Sequence, residues 1–351
     1  MGKTVRAAIV PLFIPHMGCP HHCSFCDQKS ISGQQQLVTP ETVANELRQA
    51  FSHQQPAGTE IAFFGGSFTC LPQKLMAAFL EEAQPYLQSG QAAVLRCSTR
   101  PDGITDEILA LLRRYGMTTV ELGAQSLDDT VLLRNRRGHT AQDVFSAVKL
   151  LRQNGFRVGL QIMTGLPGDT PETLEKTVRG VLELHPDMLR IYPTVVLRGT
   201  VLEKWMMDGS FVPMGLDEAV DVCIGILAQM DLAGIPVIRL GLHASRTLEQ
   251  QMVGGAYHPA FRELCESRLF RDRVDRELCR FAAGSQVLLR VSSKDVSRAV
   301  GQKRENICHW RQMGFQVTVR ASDVQPGSIL LTEDTAVCKK TGSNGYLQRG
   351  V

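Results

Sequence analysis

From its start to about residue 240 the chain alternates two hydrophobic rhythms. Apolar runs of single-strand length stand at Arg6–Ile14, Glu60–Phe64, Ala93–Ser98, Thr118–Leu122, Arg157–Met163 and Met188–Tyr192. Between them, apolar residues recur at the spacing of one helix face over Pro40–Phe51, Gln73–Leu87, Thr105–Tyr115, Thr140–Asn154 and Thr170–Leu184. Boundary signals agree with this rhythm. Thr39-Pro40-Glu41 and Thr170-Pro171-Glu172 each read as a hydroxyl cap, a proline at the first helical position and an acidic first turn. Asn154-Gly155 reads as a helix stop. Repeated strand–helix alternation predicts an α/β fold of parallel strands with right-handed crossovers. It leaves two closures open, a doubly wound sheet or a barrel. In both, functional residues belong at the C-terminal ends of the strands.

The rhythm changes after about residue 245. Residues 1–245 are expected to form one domain, and the charge-rich stretch 246–283 a connector packed on it. A compact third module is expected over 284–351. Its pattern is a strand at Gln286–Val291, a helix at Lys294–Val300, the basic loop Gly301-Gln302-Lys303-Arg304, a helix at Glu305–Met313 and a strand at Phe315–Arg320.

Composition narrows the class. A chain of 351 residues, 43% hydrophobic and 21% charged, suits two or three globular domains. No apolar run is long enough to span a bilayer, so no membrane partner is expected. Ala7–Ile14 is short, contains Pro11 and lacks a cleavage site, so it reads as a buried strand rather than a signal peptide. Arg6 stands where a myristoylation motif beginning at Gly2 needs Ser or Thr. A net charge of +3 does not by itself predict a nucleic-acid partner; only local charge can.

Ten cysteines are too few for a disulfide scaffold at this length, and their clustering predicts metal in a reducing, cytoplasmic compartment. Cys19, Cys23 and Cys26 fall in a Cys-x3-Cys-x2-Cys spacing. An ordinary four-iron cluster takes four thiolates; three leave one iron open to a small molecule. The alternative is a zinc site completed by His21 or His22. Structural zinc sites usually bring their ligands in paired halves, and the chain has no second Cys-x2-Cys. The other cysteines, including Cys70, Cys97 and Cys338, are scattered. Phe25 offers an aromatic ring beside the third thiol. The remaining strand ends carry Gly65-Gly66-Ser67, Ser98-Thr99-Arg100, Gly123-Ala124-Gln125 and Gly165-Leu166-Pro167-Gly168.

Over roughly residues 5–270 these motifs, in this order, resemble the radical S-adenosylmethionine (SAM) superfamily, and within it the catalytic subunit of Elongator and its bacterial relatives. Phe64–Thr69, Ser98–Asp102, Glu121–Ser126, Arg137–His139, Gln161–Gly168, Ile191–Thr194 and Arg198–Thr200 carry the likeness. The resemblance implies a partial (β/α)6 barrel of TIM type, a 4Fe–4S cluster on Cys19, Cys23 and Cys26, and S-adenosyl-L-methionine on its open iron. It further implies that Gly65, Gly66 and Ser67 meet the methionine amine. Ser98, Gln125 and Gln161 then face the cofactor, Arg137 neutralises its carboxylate, and Phe25 packs on it. The turn Gly165–Gly168 falls beneath the adenine. The acetyltransferase domain that follows the barrel in the Elongator subunit has no matching pattern here, so the acetyl-CoA-dependent part of that reaction is not expected.

Residues 285–320 resemble a KH-type RNA-binding core, a small α+β module that clamps nucleotides on a Gly-x-x-Gly loop. Here Arg304 replaces the second glycine. Gly301, Lys303 and Arg304 are the expected RNA contacts, helped by Lys294 and Arg298, with Asn306 placed to cap the helix or read a base edge. The combined reading is a radical SAM enzyme that modifies RNA, tRNA above all, drawing single electrons from an external flavodoxin or ferredoxin. The alternatives are a radical SAM enzyme acting on a small molecule such as a tetrapyrrole, and a non-catalytic RNA-binding iron–sulfur protein.

Overall fold

The computed structural model describes residues 8–28 and 36–334; Met1, Gly2, Arg6, Ala7 and Cys338 lie outside the described residues. The chain divides into two compact units, Met1–Pro259 and Ala260–Val351. In the first, strands β1 (Ile9–Ile14), β2 (Glu60–Gly65), β3 (Val94–Thr99), β4 (Met117–Gln125), β5 (Arg157–Thr164) and β6 (Met188–Pro193) fall on the expected runs. Helices α1 (Pro40–Ala50), α2 (Gln73–Gln88) and α3 (Asp106–Arg114) fill the first three crossovers. After β4 come a short α4 (Asp129–Arg134) and α5 (Ala141–Gln153), and α6 (Pro171–Leu184) precedes β6. Thr39 and Thr170 cap α1 and α6, each in a reciprocal box with the threonine three residues on.

Beyond β6 the chain forms β7 (Val195–Leu197), α7 (Val201–Met207), α8 (Leu216–Leu232), β8 (Val237–Leu240), α9 (Arg246–Gln251) and β9 (Met252–Gly255). The main sheet has seven strands in the order β1-β2-β3-β4-β5-β6-β8, every pair parallel. It curls into a partial TIM-type barrel, one strand wider than expected. That strand has only four residues, and α8 before it starts at Gly215 without a side-chain cap. Neither gives a boundary signal in the sequence.

The barrel floor is polar. Glu121, fully buried on β4, accepts from Arg96 of β3 at 2.9 Å and from Arg190 of β6 at 3.0 Å. Arg96 also bonds Glu60 of β2, and Gln161 of β5 reaches Glu121 at 3.3 Å. Gly159 lies opposite in register; a Cβ there would stand 2.8 Å from Glu121 Cγ. Burial alone would raise the Glu121 carboxyl, but Arg190 and then Arg96 outweigh it and hold it below its ordinary range.

In the second unit, α10 (Phe261–Leu278) occupies much of the stretch expected as a charged connector. Its charges hide a stripe in which Phe270, Val274 and Leu278 pack with β10 (Gln286–Val291). Next come α11 (Val296–Val300), a 3-10 turn at Gln302–Arg304, α12 (Glu305–Gln312), β11 (Gln316–Ala321) and β12 (Ile329–Glu333). Strand β10 pairs parallel with β11 and antiparallel with β12. Trp310, fully buried in this core, donates Nε1–H to Asp275 at 2.7 Å.

Replacing Glu121 by Gln strands two buried guanidinium groups and should cost about 3–5 kcal/mol in urea unfolding. Since the folded-state pKa is depressed, this contribution is complete above the unfolded value of about 4.3 and fades as pH falls through the folded value. The gap between wild type and E121Q should therefore narrow from about pH 5 towards pH 3. A gap that stays constant over that range contradicts the charge pairing.

Candidate cofactor site

The sheet being parallel, the loops after β1 to β5 open on one side, and two of them interlock. After Ile14 the chain turns through His16 and Gly18, both at positive φ (57° and 71°), into Cys19. Gly66 N–H donates to Ile14 O at 3.0 Å and Ser67 N–H to Met17 O at 2.8 Å. A Cβ on Gly66 would stand 2.1 Å from Met17 O, and one on Gly18 would stand 2.2 Å from Ser67 O. Two backbones therefore touch where only glycine fits. The contact brings Cys19 Sγ to 3.4 Å from Ser67 Oγ.

Ser24, fully buried between the second and third cysteines, anchors the far side of the loop. Its hydroxyl donates to Asn135 Oδ1 at 2.7 Å, its N–H to Asn135 O at 3.2 Å, and its carbonyl accepts Leu202 N–H of α7 at 3.0 Å. Asn135, also fully buried, donates Nδ2–H to Pro167 O at 2.9 Å. Neither residue stood out in the sequence. The available signals were a small polar residue inside the cysteine spacing and an asparagine two positions before Arg137.

Arg137 crosses from that anchor to the thiols. It donates to Cys23 Sγ at 3.1 Å and to Gly123 O at 2.6 Å, and Arg100 donates to its carbonyl. His139 fixes the next turn, its Nε2 3.2 Å from Ala124 O. Burial first, then Arg137 and Arg100, drives the His139 pKa down to about 3, so the ring stays neutral and Nε2 is the donor. On β4 the register slips between Gly123 and Gln125, and Gln125 takes a left-handed φ of 68°. Such a bulge re-aims a side chain at the sheet rim. Gln161 donates to Ser98 Oγ at 3.1 Å.

Eleven of the residues expected at the cofactor line one cavity of about 120 Å³. Cys19, Cys23 and Cys26 meet Phe25, Gly65, Gly66 and Ser67 there, and across from them Ser98, Gln125, Arg137 and Gln161. Gly165 and Gly168 instead line a separate cavity of about 730 Å³ between α6 and α8.

The donor set suits a cluster. The three thiols are uncrosslinked. Burial, then Cys23 and Cys19, pushes the Cys26 thiol above its ordinary range, with Arg137 opposing. Three thiolates on one cavity would need positive charge, and iron would supply it. Arg137 Nε is buried without a hydrogen-bond partner, a donor left for an anion. Among the described residues no three His, Cys, Asp or Glu side chains close on a single ion; thiolates gripping a four-iron body from outside need wider spacing.

In the second unit, Gly301 has φ 75°, and Lys303 and Arg304 both sit in the left-handed region with φ 49° and 64°. Arg304 thus keeps a conformation that glycine ordinarily supplies. Lys303, Arg304 and Lys294 are exposed, whereas Arg298 pairs with Glu266 at 3.0 Å and Asp295 at 3.3 Å. Asn306 does not face a ligand. It is buried, and its amide donates to the carbonyls of Arg298 and Ala299 at 2.9 and 3.2 Å and to Ser267 Oγ at 3.0 Å. It staples α11 to α12 and is not available to read a base.

Comparison with known proteins places these features. A Radical SAM superfamily model matches residues 13–181, and a Radical SAM C-terminal domain model residues 186–271, together most of the chain. A tRNA uridine(34) acetyltransferase of Dehalococcoides mccartyi is 39% identical over 144 residues, 40% of this chain and 31% of the relative. The chain thus spans about three tenths of that relative's length. The heme chaperone HemW of Bacillus subtilis is 25% identical over 240 residues, 66% of this chain and 63% of the relative. Among solved structures, the archaeal Elp3 of Methanocaldococcus infernus superposes with a TM-score of 0.61 at 22% identity, covering 76% of this chain and 63% of its own. That likeness concerns the fold alone.

The interlock predicts a specific lesion. Gly66→Ala should separate the loops after β1 and β2 and displace Cys19. Iron bound per chain after anaerobic reconstitution should fall by more than half, and the melting temperature should drop by about 2 °C for each 1 kcal/mol lost. A variant that loads iron like wild type contradicts the interlock.

Proposed function

The chain belongs to the radical SAM superfamily, and from that premise we propose that it is an enzyme that uses radical chemistry to modify tRNA. The family implies a 4Fe–4S cluster with S-adenosyl-L-methionine, which when bound supplies a 5′-deoxyadenosyl radical after one-electron reduction. In this reading Cys19, Cys23 and Cys26 hold the cluster. The backbone of Gly65–Ser67 receives the methionine amine, and Arg137 turns its remaining donor to the carboxylate, a task suited to a guanidinium. Ser98, Gln125 and Gln161 orient the rest, and Phe25 covers one face. The buried walls behind them exclude water. An external flavodoxin or ferredoxin in the cytoplasm is the proposed electron source.

The observation that carries the proposal is the convergence of three free thiols with Arg137 and the glycine loop on one small cavity. RNA as substrate is supported by the name of the tRNA uridine(34) acetyltransferase relative and by exposed Lys303 and Arg304 on a glycine-led loop between two helices, the arrangement of a KH-like module. Acetyl transfer itself is not carried over, because the shared stretch is a minor part of that relative. A second reading, tetrapyrrole binding or chemistry, draws on the HemW match, which spans more of both chains.

Anaerobically reconstituted protein with dithionite and S-adenosyl-L-methionine should release 5′-deoxyadenosine, measured by chromatography, and Cys23→Ser should reduce the yield at least a hundredfold. Wild-type protein that loads its cluster and releases none sinks the radical reading. A missing modified nucleoside in tRNA from a deletion strain separates the RNA reading from the tetrapyrrole one, which predicts instead a saturable shift of the heme Soret band. Lys303→Glu with Arg304→Glu should weaken RNA binding and flatten its salt dependence by about one to two units of log–log slope. Unchanged affinity would remove the loop from the interface.

A further inference from the structure

Arg136 and Trp205 sit on the two elements that hold the cysteine loop, and neither lines the cofactor cavity. Arg136 follows α4 at a helix-ending position, with N–H bonded to Leu133 O at 3.0 Å and φ 56°. Glycine is the residue that adopts this conformation freely. An exposed arginine stands there instead, next to the Arg137 that touches Cys23. Strained non-glycine positions concentrate where the side chain has work to do. The Arg136 guanidinium lies over the half-buried ring of Trp205, 6.0 Å from its centroid, the outer limit of cation–π contact. Two planes that hold a base between them stand about 7 Å apart, two layers of about 3.4 Å. A base entering between ring and guanidinium therefore has to part them.

Trp205 is held as firmly as Arg136. It sits on α7, whose start is built from Arg198-Gly199-Thr200. Thr200 caps Glu203 N–H, and Gly199 N–H donates to the Glu203 carboxylate at 2.7 Å. Leu202 N–H fastens the helix to Ser24 of the cysteine loop. Arg198 and Lys204 precede Trp205 and are exposed, as is Arg134 on the other element. The chemistry on display is one aromatic plane, one guanidinium plane and further positive charge, on two elements that each touch the cysteine loop, through Arg137 on Cys23 and Leu202 on Ser24. Single-stranded RNA is recognised by such surfaces, its bases stacked on aromatic and guanidinium planes with its phosphates near cations.

We infer that Arg136 and Trp205 form a stacking platform for an unpaired nucleobase of an RNA substrate, next to the base that is modified. This rests on the RNA reading above and gives that reading a contact on the elements that hold the cysteine loop, in addition to the basic loop of the second unit.

The chain has two tryptophans, and Trp310 is fully buried, so Trp205 is its natural reporter. Full-length protein with its reconstituted cluster is titrated anaerobically with a single-stranded adenosine hexamer and with an RNA duplex of equal length. The hexamer should quench tryptophan emission and shield it from acrylamide, and the duplex should not. By anisotropy of labelled hexamer, Trp205→Ala should lose roughly five- to a hundredfold in affinity, and Trp205→Phe should stay within about threefold. Arg136→Ala should lose a smaller factor, about fivefold. If the hexamer binds with no change in Trp205 emission, or if Trp205→Ala binds as wild type does, the platform is wrong and the RNA reading stands. If wild type binds neither the hexamer nor tRNA, both fall. Because the emission test uses wild-type protein, it holds even where Trp205→Ala fails to fold.

Discussion

The buried carboxylate of Glu121 is the point on which this structure turns. A charge this deep is tolerated only when paired, and its partners, Arg96 and Arg190, come from strands on either side. Through Arg96 and Gln161 the same group reaches Glu60 and Ser98, so side chains from five consecutive strands belong to one connected set. A sheet tied across its concave face in this way has its curvature and register set together. The upper members, Ser98 and Gln161, are then delivered to the cofactor cavity with their mutual hydrogen bond already made.

Much of this could be read in the chain. The six long strands and the helices between them follow unbroken rhythms with capping signals, and parallel order alone carries their ends to one side. That is why residues as far apart as Cys19 and Gln161 line the same cavity. What escaped has physical causes. The direction of closure depends on cross-strand pairs such as Arg96 with Glu121, which no local pattern records. Helix α8 lacks a cap, and α10 carries so much charge that its apolar stripe disappears in an average. Ser24 and Asn135 are small and polar, and only their burial reveals that they hold the cysteine loop. Asn306 hides its role for the opposite reason. A polar residue at a helix start suggests the surface, but here the start is buried against Ser267 and the end of α11.

The tether from Ser24 to α7 also has an energetic consequence. The hydrogen bond from Leu202 makes the ordered cysteine loop and the placement of Trp205 parts of one arrangement. Two ligands that each favour the same arrangement must favour each other, and by the same factor in both directions. If a metal were held at the thiols and a partner rested against α7, each would tighten the binding of the other through this tether. A centre coupled in this way would be best protected while the protein is engaged and most exposed while it is idle.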